Sequence, residues 1–263
     1  MKAGTAPLIV GHRGASAHAP ENTLAAFRRA IDGDAEGIEF DVRLTRDGEA
    51  VVFHDETLKR TGRRPEAVAD LTAAELAGVD IGSWFNLKYP ARANPEFAAE
   101  TVSTLAGTLH LLRDFPGLIY IEMKCGAGRA EELCEAVCEV IRDSRLLPQI
   151  IVKSFELSAI PHIRRLCPEV QTAALFSARV MTALRKETRI IQAAKAAGAH
   201  QISVHYSLAT RRLMALAESL PVTIWTADNP KWVKKGTDLG LMAIITNDPG
   251  RMVRVKRKVF EKS

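Results

Sequence analysis

The segment Gly37-Ile38-Glu39-Phe40-Asp41-Val42 alternates apolar and acidic residues. In an extended strand successive side chains point to opposite faces, so Glu39 and Asp41 share one face and Ile38, Phe40 and Val42 the other. Burying two carboxylates on one face is costly unless cations or a metal offset the charge. The pattern recurs in Ile119-Tyr120-Ile121-Glu122-Met123-Lys124, which puts Glu122 and Lys124 together and turns Ile121 and Met123 the other way. Three carboxylates, Glu39, Asp41 and Glu122, at the ends of neighbouring strands form an oxygen-only site suited to Mg²⁺ or Ca²⁺ rather than a thiolate-loving metal. The competing reading is a set of salt bridges to Arg13, Arg43 and Lys124.

Two histidines end apolar runs in the same way: His12 in Gly11-His12-Arg13-Gly14, and His54 after Val51-Val52-Phe53. Imidazoles near neutral pH can exchange protons with a reacting group, and guanidinium and ammonium groups can hold phosphate oxygens. His12, His54, Arg13 and Lys124 around a dication therefore form a set able to cleave a phosphodiester. His205 follows the run Gln201 to Val204 and is a candidate for lining the pocket. Phe155 and Trp225 are candidates for substrate contact, weighed against ordinary core packing. His18, His110, His162 and His200 carry no functional expectation.

These residues need a frame that gathers strand ends, and short apolar runs alternating with longer amphipathic ones supply it. Eight parallel strands are expected at Leu8 to Gly11, Gly37 to Val42, Leu118 to Met123, Ile150 to Ser154, Val170 to Leu175, Gln201 to Val204, Val222 to Trp225 and Met242 to Thr246. Helices are expected between them, among them Thr23 to Ile31, Arg129 to Arg142, Ser158 to Cys167, Thr210 to Ser219 and Lys231 to Leu239. Ala50 to His54 follows the second strand across Asp47-Gly48, a link too short for a parallel crossover, so it reads as an antiparallel hairpin arm. The expected fold is an α/β (β/α)8 TIM barrel, with active-site residues at the C-terminal ends of its strands. A doubly wound open sheet is the alternative, but no G-x-G-x-x-G follows a strand. Residues 1–263 are expected to form one catalytic domain, with 55–103 inserted as a small cap carrying Trp84, Phe85, Tyr89 and Phe97.

The formal charge of +5 resides in the last 13 residues, where Arg251, Arg254, Lys256, Arg257, Lys258 and Lys262 face only Glu261. The rest of the chain is formally neutral and has no basic stripe with interleaved aromatics, so nucleic acid is not an expected partner. The basic end reads as a terminal helix with a solvated face, and weak contact with a membrane surface is the other use for it. Cys125, Cys134, Cys138 and Cys167 form no C-x-x-C pair and read as reduced thiols of the core. Met1 to Pro7 lacks the apolar run of a signal peptide and no segment is long and apolar enough to span a membrane, which gives a cytoplasmic location as the expectation.

Four segments in order, Gly11 to Thr23 (GHRGASAHAPENT), Gly37 to Val42 (GIEFDV), Asp47 to Asp55 (DGEAVVFHD) and Tyr120 to Lys124 (YIEMK), resemble the successive motifs of glycerophosphodiester phosphodiesterases. Lys153-Ser154-Phe155, Trp225-Thr226 and Ile244-Ile245-Thr246 are weaker echoes that extend the resemblance over nearly the whole chain. The resemblance implies metal-dependent hydrolysis of glycerophosphodiesters to glycerol 3-phosphate and an alcohol. It implies His12 and His54 as the acid/base pair, Glu39, Asp41 and Glu122 as metal ligands for Mg²⁺ or Ca²⁺, and Arg13 and Lys124 as phosphate binders. Two departures, Asn247 where the family often has Asp and Ala227-Asp228 after Trp225-Thr226, are expected to bear on substrate fit rather than chemistry. A lysophospholipase D and a catalytically silent phosphate-binding barrel are the alternatives.

Overall fold

A computed structural model describes residues 5–125, 128–179 and 187–260. Its strands are β1 (Leu8–His12), β2 (Gly37–Leu44), β3 (Ala50–Val52), β4 (Leu118–Met123), β5 (Ile150–Ser154), β6 (Gln171–Phe176), β7 (Gln201–His205), β8 (Val222–Trp225) and β9 (Ala243–Thr246). Eight of them are parallel and close into a barrel, because β1 pairs with β2 on one side (Val10 opposite Gly37) and with β9 on the other (Val10 opposite Ile245). That closure excludes the open sheet. β3 is antiparallel to β2, as the short Asp47-Gly48 link requires.

The helices are α1 (Leu24–Asp32), α2 (Ala73–Leu76), α3 (Ser83–Lys88), α4 (Leu105–Leu111), α5 (Ala130–Arg142), α6 (Ala159–Leu166), α7 (Glu187–Ala196), α8 (Arg211–Ala217), α9 (Lys231–Leu239) and α10 (Pro249–Phe260). Thr23 and Thr210, expected as first helical residues, are instead caps whose hydroxyls accept from the Ala26 and Leu213 amides. Val170 lies outside β6 because its amide closes a turn on the Cys167 carbonyl.

The alternation read from the sequence sorts side chains into two layers. Ile38, Phe40, Val42, Ile119, Ile121 and Met123 face outward and pack with Phe27 of α1, Leu105 of α4 and Leu133 and Val137 of α5. Val10, Tyr120, Ile151, Ala173, Ala243 and Ile245 point inward and fill the barrel as an apolar plug. Cys134 and Cys138 lie buried in α5 as free thiols, and burial pushes both up to about 12. They are inert at neutral pH.

Residues 55–103 hold α2, α3 and three 3₁₀ turns. One side packs Leu58, Val68, Leu76, Val79 and Ile81 onto Val51 and Phe53, and the other packs Trp84, Phe85 and Phe97 onto Ala19 and Ala26. The basic end is the helix α10, with Met252 and Val253 buried, Lys256 paired with Glu36 at 2.6 Å and Arg257 with Asp34 at 3.0 Å. Glu261 and Lys262 lie outside the described residues. Among the described residues no helix is long and apolar enough to cross a membrane.

Phe27 and Phe40 are both fully buried with ring centroids 5.5 Å apart, so α1 is fixed to β2 through this pair. Phe40→Ala is expected to cost about 3–5 kcal/mol in denaturant unfolding. A loss below about 1 kcal/mol would mean that the pair does not anchor the helix.

Candidate active site

Above the apolar plug the barrel mouth is lined with charge. The β2–β4 register sets Asp41 opposite Glu122, and the β4–β5 register sets Glu122 opposite Lys153. Glu39, Asp41 and Glu122 are 0%, 1% and 5% exposed, and each offers an oxygen within 4.8 Å of the others. Three cations stand against them. Lys153 Nζ lies 2.8 Å from Glu39 Oε1 and 3.4 Å from Glu122 Oε2, Lys124 Nζ contacts Glu122 and lies 3.1 Å from Asp41 Oδ1, and Arg13 Nε lies 3.0 Å from Asp41 Oδ2.

The expected salt bridges to Arg13 and Lys124 are thus present, but the one to Arg43 is not. Arg43 lies beyond the carboxylates on β2, where its Nε donates to the His54 carbonyl at 2.7 Å. Lys153 takes its place, a residue to which sequence reading gave no role. The signal was available: in Ile150-Ile151-Val152-Lys153 the lysine shares the face of inward-pointing Ile151.

Burial by itself raises the Glu39 and Asp41 carboxyls, but Lys153 and His12 on Glu39, and Arg13, Lys124 and His54 on Asp41, leave both below the ordinary carboxylate range. Burial likewise lowers Lys124 and Lys153, and their carboxylate neighbours reverse this, so both are held above the usual value. Even so, Glu39 Oε1 and Asp41 Oδ1 meet Lys153 and Lys124 only as ion pairs, at 2.8 and 3.1 Å, without a well-formed hydrogen bond. Buried carboxylate oxygens with free lone pairs, all from hard donors, fit a small divalent cation.

The loop after β1 is folded around these carboxylates. Arg13 and Asn22 adopt left-handed backbone (φ 54° and 59°), and Gly14 (φ 77°) approaches so closely that a Cβ would lie 2.6 Å from Ala26 backbone atoms. The result is that the Arg13 amide donates to Glu39 Oε2 at 3.0 Å and Asn22 Nδ2 donates to Asp41 Oδ2 at 2.9 Å. Arg13 Nη1 also donates to Glu21 at 2.6 Å.

Both histidines are oriented from behind. His12 Nδ1 lies 2.7 Å from Asn247 Oδ1, and Asn247 Nδ2 donates to Asp228 at 2.7 Å, which fixes Oδ1 as an acceptor. His12 therefore carries its proton on Nδ1 and leaves Nε2 free. Asn247 and Asp228, expected to bear on substrate fit, thus also hold the His12 ring. His54 Nδ1 lies 2.6 Å from the Asp55 carboxylate, which again leaves Nε2 free. Burial lowers the His54 pKa, Arg13 and Lys124 add to that, and Asp41 and Asp55 oppose it without reversing it.

Phe155 is 43% exposed at the end of β5, with Lys124 Nζ 5.8 Å from its ring centre. It stacks edge-on with Trp225 at 5.4 Å, and Trp225 with His205 at 5.6 Å, so the three form a row along the rim. His18 pairs with Asp248, His162 with Glu131, and His200 accepts from Thr172. Two cavities flank the mouth. One of about 180 Å³ is bordered by Arg43, Glu56, Lys124 and Arg129, and the other, of about 310 Å³, by Ser16, Glu21, Trp84, Tyr89, Asp228 and Asn247.

Replacing Lys153 by Met leaves Glu39 and Glu122 without their buried cation. Lys153→Met is expected to cost about 3–5 kcal/mol in unfolding measured in chelator. An unchanged midpoint would mean that Lys124 and Arg13 neutralise the cluster unaided.

The model of the glycerophosphoryl diester phosphodiesterase family matches residues 12–251. Glycerophosphodiester phosphodiesterases of Caldanaerobacter subterraneus and Bacillus altitudinis are 30% and 29% identical, each aligned over 95% of this chain and 98% of the relative. An Oleispira antarctica phosphodiesterase solved with the product sn-glycerol-3-phosphate superposes with a TM-score of 0.83 at 26% identity, covering 95% of this chain and 96% of that one. With motif order, barrel and mouth all in agreement, the chain belongs to the glycerophosphoryl diester phosphodiesterase family.

Proposed function

We propose that the protein hydrolyses glycerophosphodiesters to glycerol 3-phosphate and the free alcohol, with His12 as general base and His54 as general acid. The observation that carries this reading is the pair of imidazoles held through Nδ1 by Asn247 and Asp55, each with Nε2 free, beside a buried carboxylate cluster. The product bound by the Oleispira relative supports the glycerol phosphate half of the substrate.

Glu39, Asp41 and Glu122 would hold Mg²⁺ or Ca²⁺, which when bound supplies positive charge against a phosphoryl oxygen. Arg13 and Lys124 add positive charge at the mouth and orient the phosphate oxygens. His12 takes the proton of the attacking group at Nε2, either water, which gives glycerol 3-phosphate directly, or a glycerol hydroxyl, which closes a cyclic phosphate that water then opens. His54 gives its Nε2 proton to the leaving alcohol from its imidazolium form, which burial, Arg13 and Lys124 disfavour on balance and Asp41 and Asp55 only partly restore. Residues 55–103 act as a cap, since Trp84 and Tyr89 border the cavity beside Asn247.

A second reading enlarges the alcohol. Phe155 and Tyr206 are 43% and 38% exposed on the rim, a surface that suits an apolar arm such as that of a lysophospholipid. Comparing turnover of glycerophosphocholine and lysophosphatidylcholine separates the two, and a preference for the second would reassign the substrate.

His12→Ala and His54→Ala are each expected to lower kcat by about 10²–10⁴-fold with an unchanged melting temperature. Near-normal turnover in both, with metal bound, would remove the acid/base assignment. Glycerol 3-phosphate release is expected to stop in chelator and return with Mg²⁺ or Ca²⁺. Glu39→Gln is expected to bind the cation more weakly in calorimetric titration, and unchanged affinity would count against the carboxylate cluster as the metal site.

A further inference from the structure

Arg60 belongs to the turn that opens the 55–103 insertion, not to the barrel. Its guanidinium forms two forked contacts at once. Nε donates to Asp55 Oδ2 at 2.6 Å and Nη2 to Asp55 Oδ1 at 3.1 Å, while Nη1 and Nη2 donate to Glu21 Oε2 and Oε1, each at 2.7 Å. Asp55 is the carboxylate that holds His54 Nδ1, and Glu21 is the carboxylate that holds Arg13 Nη1. The chain of contacts His54, Asp55, Arg60, Glu21, Arg13 therefore joins the proposed acid to the proposed phosphate-binding arginine across the mouth.

Nothing else described bridges Asp55 to Glu21. Asp55 and Glu21 lie 34 positions apart, on the β3 exit and the β1–α1 loop, and without a cation between them two carboxylates so placed repel each other. A planar guanidinium with its fork of donors meets both bidentately, which an ammonium does not do. Arg60 is in turn fixed by its own turn. Leu58 is fully buried against Val51 and Phe53, the Leu58 amide donates to Glu66, and the Gly62 amide donates to the Leu58 carbonyl. The Trp84 ring centre, 5.8 Å from the guanidinium carbon, backs it from α3.

We infer that Arg60 is a positioning residue, by which the insertion sets the orientation of both His54 and Arg13 for the phosphodiester reaction. This rests on the acid/base reading above. It gives the insertion a part in assembling the site that is separate from covering it. Arg60 itself touches neither histidine nor the metal-binding carboxylates among the described contacts, so it acts through Asp55 and Glu21.

The test uses the full-length, metal-loaded protein with glycerophosphocholine, and reads kcat, the melting temperature and the ring-nitrogen NMR signals of His54. Arg60→Gln is expected to lower kcat by about 100-fold, the scale of a small misplacement of a reacting group. In wild type the His54 signals are expected to report one tautomer with the proton on Nδ1, and in the variant a mixture. Should Arg60→Gln not fold, Arg60→Lys keeps charge and stem but loses the double fork, and the same changes are expected of it. Guanidinium ion is expected to restore part of the turnover of Arg60→Ala.

A cycle with Glu21→Gln and Asp55→Asn completes the test. When both carboxylates are already replaced, Arg60→Gln is expected to cost less than about 3-fold more, because residues acting as a unit are not additive. Full additivity, or wild-type kcat and a single His54 tautomer in a folded Arg60 variant, would overturn the inference. His54→Ala measured alongside tells the two readings apart. If it retains turnover, the acid/base assignment fails, whereas if it is inactive while Arg60→Lys is fully active, only the role of Arg60 falls.

Discussion

Three carboxylates buried within 4.8 Å of one another are the constraint around which the rest of the molecule is arranged. In a low-dielectric interior their mutual repulsion opposes folding unless compensating charge is fixed beside them. The fold supplies that charge from separate directions, with Lys153 from β5, Lys124 from the end of β4 and Arg13 from the β1–α1 loop. The left-handed backbone at Arg13 and Asn22 serves the same need, since it accompanies the turn of the Arg13 amide onto Glu39 and of the Asn22 side-chain amide onto Asp41. The compensation is incomplete in geometry, and the free lone pairs of Glu39 and Asp41 are what a dication would use.

Stability and chemistry are divided along the barrel axis. The plug of Val10, Tyr120, Ile151, Ala173, Ala243 and Ile245 and the outward layer against the helices carry the apolar burial, while the charged ring sits at the strand ends. Alternation along one strand serves both, since Ile38, Phe40 and Val42 anchor the helices and the residues between them face the mouth. A change in either set is therefore felt by the other through β2.

Most of this frame was legible in the sequence because it rests on periodicity. Alternation within strands located Glu39, Asp41 and Glu122, apolar runs between amphipathic ones located the eight strands, the short Asp47-Gly48 link marked the antiparallel arm, and the ordered motifs named the family. Alternation also misled at Arg43, which has the parity of the carboxylates but stands high enough on β2 to clear the cluster and bond the His54 carbonyl. Lys153 obeyed the same parity and was passed over, since a lysine at a strand end ordinarily reaches solvent. Asn247 and Arg60 carry no periodic signal at all. Their partners lie 235 positions away in one case and 5 and 39 in the other, so they become visible only once the chain has closed.

Asn247 shows why closure matters to the chemistry as well as to the fold. It follows β9, whose pairing with β1 completes the barrel, and that pairing brings Asn247 against His12 at the end of β1. Asp228, which fixes the Asn247 amide, follows β8, the other neighbour of β9. The carboxylate cluster needs only β2, β4 and β5 with the β1 loop, but the orientation of His12 needs the last two strands in register. A barrel that closed with β9 slipped by one residue would reverse its inward and outward faces and move Asn247 off the imidazole, even with every carboxylate in place. The same hydrogen-bonded seam that removes the sheet edges thus sets the tautomer and direction of the ring proposed to take the first proton.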